Sequence, residues 1–438
     1  MGTGGSGGPA VPAYDARPVF DAMPERSRWR YKPRVSRIWR SKAIRAGILI
    51  LLLALCALVI LAIVREQTGS EGFLVGLGLA TLPVPLLLAA FRWLGRVEPR
   101  PWRNLAFAFA WGAFAAALVS ILANTFAIQW IATATADPTS ADNLGATLVA
   151  PVVEETAKAA ALFLLFFFRR RHFTGLVDGV VFAGFTATGF AFTENILYLG
   201  TAFDEEQSAG GSGIASAAAT FFVRVVMSPF AHPLFTVLTG LGLGFAAMAA
   251  RRHRLRRFVL PVLGLLLSMA MHALWNGSAS YLGPFGFYLV YGMFMVPAFA
   301  LLTWLTIWSR QRELRTISVA LPPYAAAGWL APAEPAALSS MRARSEARSF
   351  ARRAGGPTAA HAVSEYVRFA TSLAFLRDRA SRGAADPDFV AREQELLHHM
   401  WNRKAVAGPA LTYGARAAGA VRVPPPYRDY EGYNPYRV

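Results

Sequence analysis

A single cysteine, Cys56, is all this chain holds, and it falls inside an apolar run. No intrachain disulfide can form and no thiolate cluster can bind a metal, so any metal must rest on imidazole and carboxylate. Charged residues are also scarce, at 16% against 55% hydrophobic. Mean hydropathy is positive, unlike that of an ordinary soluble domain, which carries about 25% charged residues. Acidic residues are the scarcer sign, 26 against 44 Lys and Arg, giving a formal net charge of +18. Nucleic acid is not the expected partner, because the basic residues gather at the ends of apolar blocks and in the two tails, as topology signals do. No internal repeat is visible. No cleavable signal is recognisable either, since the Gly/Pro-rich and then basic start leads into a full-length apolar block, which is expected to stay in the mature protein.

The apolar residues come in blocks of about 18 to 25, each long enough at about 1.5 Å per residue to cross a hydrocarbon core of roughly 30 Å. About eight spans are expected, at 46–64, 73–91, 105–123, 146–168, 175–199, 228–250, 258–278 and 287–308. The fold class is therefore all-α, a polytopic transmembrane helical bundle. A disordered basic arm (1–45, with Arg26, Arg28, Arg30, Lys32 and Arg34 among its cations) precedes it. A helical, partly disordered region (309–438) follows, with amphipathic helices expected at 362–379 and 387–404 and a Pro/Tyr-rich tail. Asp386 is the expected N-cap of the second helix, with Pro387 at its first position. Arginine-rich connections at 92–103, 169–172, 251–257 and from Arg310 alternate with connections holding Glu66 and Glu71, Asp137 and Asp142, and Asp204-Glu205-Glu206. That alternation places both termini in the cytoplasm. An alanine-rich stretch at 211–227 carries Arg224 and is read as interfacial or re-entrant.

Four polar clusters interrupt the apolar blocks: Glu154-Glu155-Thr156-Ala157-Lys158, Phe190-Ala191-Phe192-Thr193-Glu194-Asn195, His232-Pro233, and His272-Ala273-Leu274-Trp275-Asn276. An ionisable side chain in a bilayer costs about 2.5–3.5 kcal/mol on insertion scales, so four such clusters mark function. Counting from the expected span ends, Glu154, Glu194, His232 and His272 all lie roughly 6 to 12 Å below the outer surface. Two imidazoles and several carboxylates at one level can hold a divalent metal or perform metal-free acid/base work, and either activates water. Lys158 lies one turn after the paired glutamates, where it can pair with either. Asn276 lies one turn after His272, placed to orient that imidazole or to donate to a developing oxyanion.

These runs, with Asp178-Gly179-Val180-Val181-Phe182 through Leu199, and His232-Pro233-Leu234-Phe235-Thr236 with Gly240, closely resemble the PrsW family of intramembrane proteases. The resemblance covers roughly 46–308 and implies a glutamate-dependent protease with a divalent metal, zinc first. Glu154, Glu155, Lys158, Glu194, His232, His272 and Asn276 would be the catalytic set, with Glu154, Glu194, His232 and His272 as metal ligands. It further implies a multi-pass protein of the bacterial plasma (inner) membrane that cuts membrane-anchored protein substrates, as in anti-sigma-factor cascades, with membrane lipid as its other partner. A proton-coupled transporter and a non-catalytic membrane scaffold are the rival readings; a transporter usually carries repeat symmetry and midplane sites. Elsewhere the plainer readings prevail. Asp178 is a helix-start charge or a partner for arginine, Phe166-Phe167-Phe168 is an interfacial anchor, and His398-His399 cannot both face one ligand. Arg224 is open between substrate and lipid headgroup.

Overall fold

A computed structural model describes residues 39–169, 173, 175–249, 253–281, 283–383 and 388–420. Nearly all of the basic arm, the Pro/Tyr-rich tail, and the Asp386-Pro387 helix start lie outside these. No strand occurs among the described residues. They fall into two compact units, residues 34–314 and the described residues from 315 on.

The first unit contains α1 (Trp39–Thr81), α2 (Pro83–Leu94), α3 (Trp102–Thr135), α4 (Pro138–Leu144), α5 (Ala150–Phe168), α6 (Leu176–Ser208), α7 (Ile214–Phe221), α8 (Ala231–Met248), α9 (Arg254–Tyr281) and α10 (Gly283–Val290). Helix α11 (Val296–Ala320) carries the chain past residue 314. Among the described residues, six helices are long and apolar enough to cross a membrane. The expected count of about eight is not reproduced, for two physical reasons. The first two expected spans lie in one nearly continuous 51-residue helical segment, Ile44–Leu94, kinked at Gly69 and interrupted at Leu82 alone between α1 and α2. The fourth lies on α5, a 19-residue helix that holds Glu154, Glu155 and Lys158 and is too charged to count on composition.

Helix α6 is the axis of this unit, with 94% of its apolar window buried. Its neighbours reach it through glycines. A Cβ built on Gly76 would lie 2.4 Å from the Ile196 carbonyl oxygen, one on Gly112 1.8 Å from that of Thr186, and one on Gly179 1.9 Å from that of Gly240. No side chain fits at such distances, so α1, α3 and α8 meet α6 backbone to backbone. Small residues serve membrane helices this way, since packing must replace the missing hydrophobic drive. The α8–α9 contact repeats the device through Gly242 and Gly264. At the far end of α6, Asp178 accepts from the Gly175 N–H at 3.1 Å and forms a buried ion pair with Arg100, so it is both a helix-start charge and an arginine partner.

The second unit is built from α12 (Pro322–Ala326), α13 (Glu334–Leu338), α14 (Met341–Ser381), α15 (Phe389–Trp401) and α16 (Lys404–Ala417). The expected apolar face at 362–379 is present, with Val363, Tyr366, Ala370, Leu373, Phe375 and Leu376 buried. Two carboxyls are buried beside tyrosines: Glu334 accepts from the Tyr366 hydroxyl at 2.5 Å, and Glu393 accepts from Tyr324 and faces Arg377. Burial raises both carboxyls above the usual range, against the opposing pull of the tyrosine hydroxyls and of Lys404 and Arg377 respectively.

Candidate active site

Helix α5 supplies the first three groups. Pro151 sits in its first turn, directly after a π-helical turn at Gly145–Val149, and the 3.6-residue period then puts Lys158 over both glutamates. The Lys158 ammonium is fully buried. It donates to Glu155 Oε1 at 2.8 Å and to Glu154 Oε2 at 3.4 Å, lies 3.2 Å from His232 Nδ1, and sits 3.8 Å from the centre of the Phe190 ring.

The two glutamates differ in their surroundings. Glu155 is fully buried and saturated: Oε1 takes Lys158 and His272 Nδ1 (3.1 Å), while Oε2 accepts from Ser268 Oγ (2.7 Å) and Thr236 Oγ1 (2.9 Å). Glu154 has only the long contact to Lys158 and a 3.9 Å approach to His272 Nε2. It lines a cavity of ≈ 450 Å³ together with Glu194, Arg224, His232, His272 and Asn276, whereas Glu155 does not.

Donor rules assign the imidazole protons. An ammonium can only donate, so His232 Nδ1 is its acceptor nitrogen and Nε2–H points to Glu194 Oε2 at 2.5 Å. A carboxylate can only accept, so His272 carries its proton on Nδ1 toward Glu155 and leaves the Nε2 lone pair facing Glu154. The His272 ring stacks on Phe235, with centroids 4.7 Å apart.

Of the residues singled out from sequence, Glu154, Glu155, Lys158, Glu194, His232 and His272 form one connected cluster. Asn276 lies on the same cavity but donates to the Ala146 carbonyl at 2.8 Å; the His272 imidazole is oriented by Glu155 instead. Arg224, left open between substrate and lipid, is turned inward to Glu194 at 2.6 Å. Sequence reasoning gave Thr236 and Ser268 no role. Their signal was present all the same, since Thr236 lies four residues after His232 and Ser268 four before His272, each on the histidine's own helical face.

One ligand atom each from Glu154, His232 and His272 lies within 4.8 Å of the others. This donor set fits a divalent metal. Each histidine gives its outer N–H to a carboxylate and turns its other nitrogen toward the centre, as metal-ligating histidines do. Glu194 stands behind His232 in that pattern, outside the triad. The Lys158 ammonium would have to give up its contact with His232 to admit an ion of like charge.

Comparison with curated proteins and with solved structures finds no match. Residues 100–302 match the model of a family described as PrsW family intramembrane metalloprotease. The matched stretch encloses every member of the polar cluster, in a chain whose apolar helices make it a multi-pass membrane protein. Residues 100–302 thus form a PrsW-family intramembrane protease domain, and the protein that carries it is a peptidase.

Proposed function

We propose that this peptidase hydrolyses a peptide bond of a membrane-anchored protein within the ≈ 450 Å³ cavity, with Glu154 as the general base. The observation that carries the assignment is the asymmetry of the glutamates. Glu155 has no acceptor position left, while Glu154 is thinly bonded and faces the cavity. Glu154 takes a proton from a cavity water, and the resulting hydroxide attacks the scissile carbonyl carbon. Asn276 uses one amide N–H on Ala146 and offers the second to the developing oxyanion. Collapse of the adduct breaks the C–N bond, and the proton held by Glu154 passes to the leaving amine. Glu155 fixes the His272 ring, Glu194 fixes that of His232, and Lys158 balances part of the carboxylate charge. A divalent ion, zinc by ligand type, would be held by Glu154, His232 and His272 and would supply a Lewis acid beside the carbonyl.

The arginine-rich connections support cytoplasmic termini and a cut near the outer face of a bacterial plasma membrane, as the first step of regulated proteolysis. The family match favours neither a transporter nor an idle scaffold. The test labels new protein N-termini in membranes of cells making the intact chain or Glu154→Gln at equal abundance. Termini that require Glu154 support the reading and name the substrate. Identical profiles, at rest and under envelope stress, would overturn it.

A further inference from the structure

The two histidines are supported unequally. The carboxylate behind His272 is Glu155, which three further groups on three helices hold in place: Lys158 on α5, Thr236 on α8 and Ser268 on α9. The carboxylate behind His232 is Glu194, and beyond the histidine its hydrogen-bonding partner is Arg224. One oxygen, Glu194 Oε2, receives both the guanidinium at 2.6 Å and His232 Nε2 at 2.5 Å.

Arg224 is gripped by a single face of α6. Its Nε donates to Asn195 Oδ1 at 2.9 Å, its NH2 donates to Glu194, and its guanidinium carbon lies 3.9 Å from the centre of the Tyr198 ring. A planar fork that donates on two edges and stacks on its face can make these contacts together; a lysine ammonium cannot. Yet Arg224 does not belong to α6. It lies in the π-helical turn Phe222–Met227, none of whose side chains is fully buried. That turn is tied down by Arg224 on one side and by the Tyr291 hydroxyl donating to the Met227 carbonyl at 2.8 Å on the other.

We propose that Arg224 is a positioning residue of the reaction centre, acting through Glu194 to hold His232 in the tautomer that protonates Nε2 and turns Nδ1 inward. The proposal rests on His232 being part of that centre. Without the guanidinium, Glu194 keeps His232 as its remaining hydrogen-bond partner and can rotate into the cavity, taking with it the acceptor that selects the tautomer. The seating of the 222–227 turn and the aim of His232 are then one event.

The test is nitrogen NMR of the full chain in lipid nanodiscs, labelled at histidine ring nitrogens, at alkaline pH and without substrate. The His232 signals are assigned by their loss in His232→Gln. The intact protein should show His232 protonated at Nε2. Arg224→Gln should lose that single tautomer, and Arg224→Lys should retain it in part. Loss of outer-shell support typically lowers activity about 10- to 100-fold, and the appearance of Glu154-dependent N-termini should slow by that factor in Arg224→Gln. If Arg224→Gln does not fold, Asn195→Ala, which removes only the acceptor for Arg224 Nε, carries the measurement. An unchanged His232 tautomer in the folded variant, even with lowered thermal stability, would reduce Arg224 to a structural staple and overturn the proposal. Tautomer loss as expected with no Glu154-dependent termini in the intact protein would instead overturn the protease reading and leave the Arg224–Glu194–His232 linkage standing.

Discussion

Exchanging each paired glutamate for glutamine separates holding the centre together from performing its chemistry. In Glu155→Gln the new side chain meets Lys158, His272 Nδ1–H, Ser268 and Thr236, all of them donors. An amide nitrogen can only donate, so it must face the Ser268 and Thr236 hydroxyls, which can turn to accept, while the amide oxygen faces Lys158 and His272 without the charge that paired the ammonium. Lys158, fully buried, keeps Glu154 at 3.4 Å as its remaining carboxylate contact. Removing one partner of a buried pair costs about 3–5 kcal/mol, which at about 1.4 kcal/mol per power of ten lowers the folding equilibrium by two to three and a half powers of ten. Glu154→Gln breaks only the long Lys158 contact on a cavity wall, and should cost about 1 kcal/mol or less. Both variants should lose proteolysis, Glu154→Gln by roughly 10²–10⁴-fold for want of a base. Equilibrium unfolding of the full chain in mixed micelles with rising dodecyl sulfate, followed by tryptophan emission, measures the first quantity. Equal destabilisation by the two glutamines would refute the division of labour between the carboxylates.

Ser268→Ala and Thr236→Ala each remove one bond to Glu155 Oε2 and should cost about 1 kcal/mol alone; the double variant should cost more than the sum, because it strips that buried oxygen of its donors. Gly69→Ala should destabilise by about 1–2 kcal/mol in the same titration, since Gly69 has φ 68° and an added Cβ would lie 2.9 Å from Asp204 Oδ1. Gly179→Ala and Gly240→Ala should each cost about 1–3 kcal/mol by overpacking, and the pair should cost less than the sum because one widening of the α6–α8 gap serves both. In the second unit, Glu334 and Glu393 have raised carboxyl pKa values, so the native state holds protons that the unfolded chain releases at lower pH. Their contribution is fully present below the ordinary glutamate range and is lost as pH rises through the raised values; hydrogen exchange of α13–α15 amides, corrected for intrinsic rates, should therefore slow on acidification to about pH 4.5. Faster exchange over that window would contradict the assignment.

Much of the centre was legible in the sequence because bilayer burial makes charge conspicuous. Glu154, Glu155, Lys158, Glu194, His232 and His272 announce themselves by standing in apolar runs, and helical spacing alone places Lys158 over the glutamates. Ser268 and Thr236 offered only their place on the histidines' helical faces, a weak signal, since a hydroxyl in a membrane helix can equally satisfy itself on the carbonyl four residues back. The partner of Arg224 was hidden for another reason: the contact spans thirty positions and depends on how the 222–227 turn folds against α6. Span counting failed where its assumptions did, at a kinked double-length helix and at a helix made polar by its own chemistry. Helix α16 was missed because Pro409 and several glycines interrupt its pattern, although its Gly408, Ala410, Leu411 and Gly414 are buried.

The glycine seams bear on how far this scaffold can be redesigned. Glu194, His232 and His272 ride on α6, α8 and α9, which are joined backbone to backbone, and any larger residue along those joints would drive the helices apart. Pro83, Val84 and Leu87 on α2, and Phe287 on α10, border the same cavity with side chains and lie off every such joint. Libraries aimed at new cleavage preferences have their room at these four positions, where volume can be traded without altering the spacing of the imidazoles.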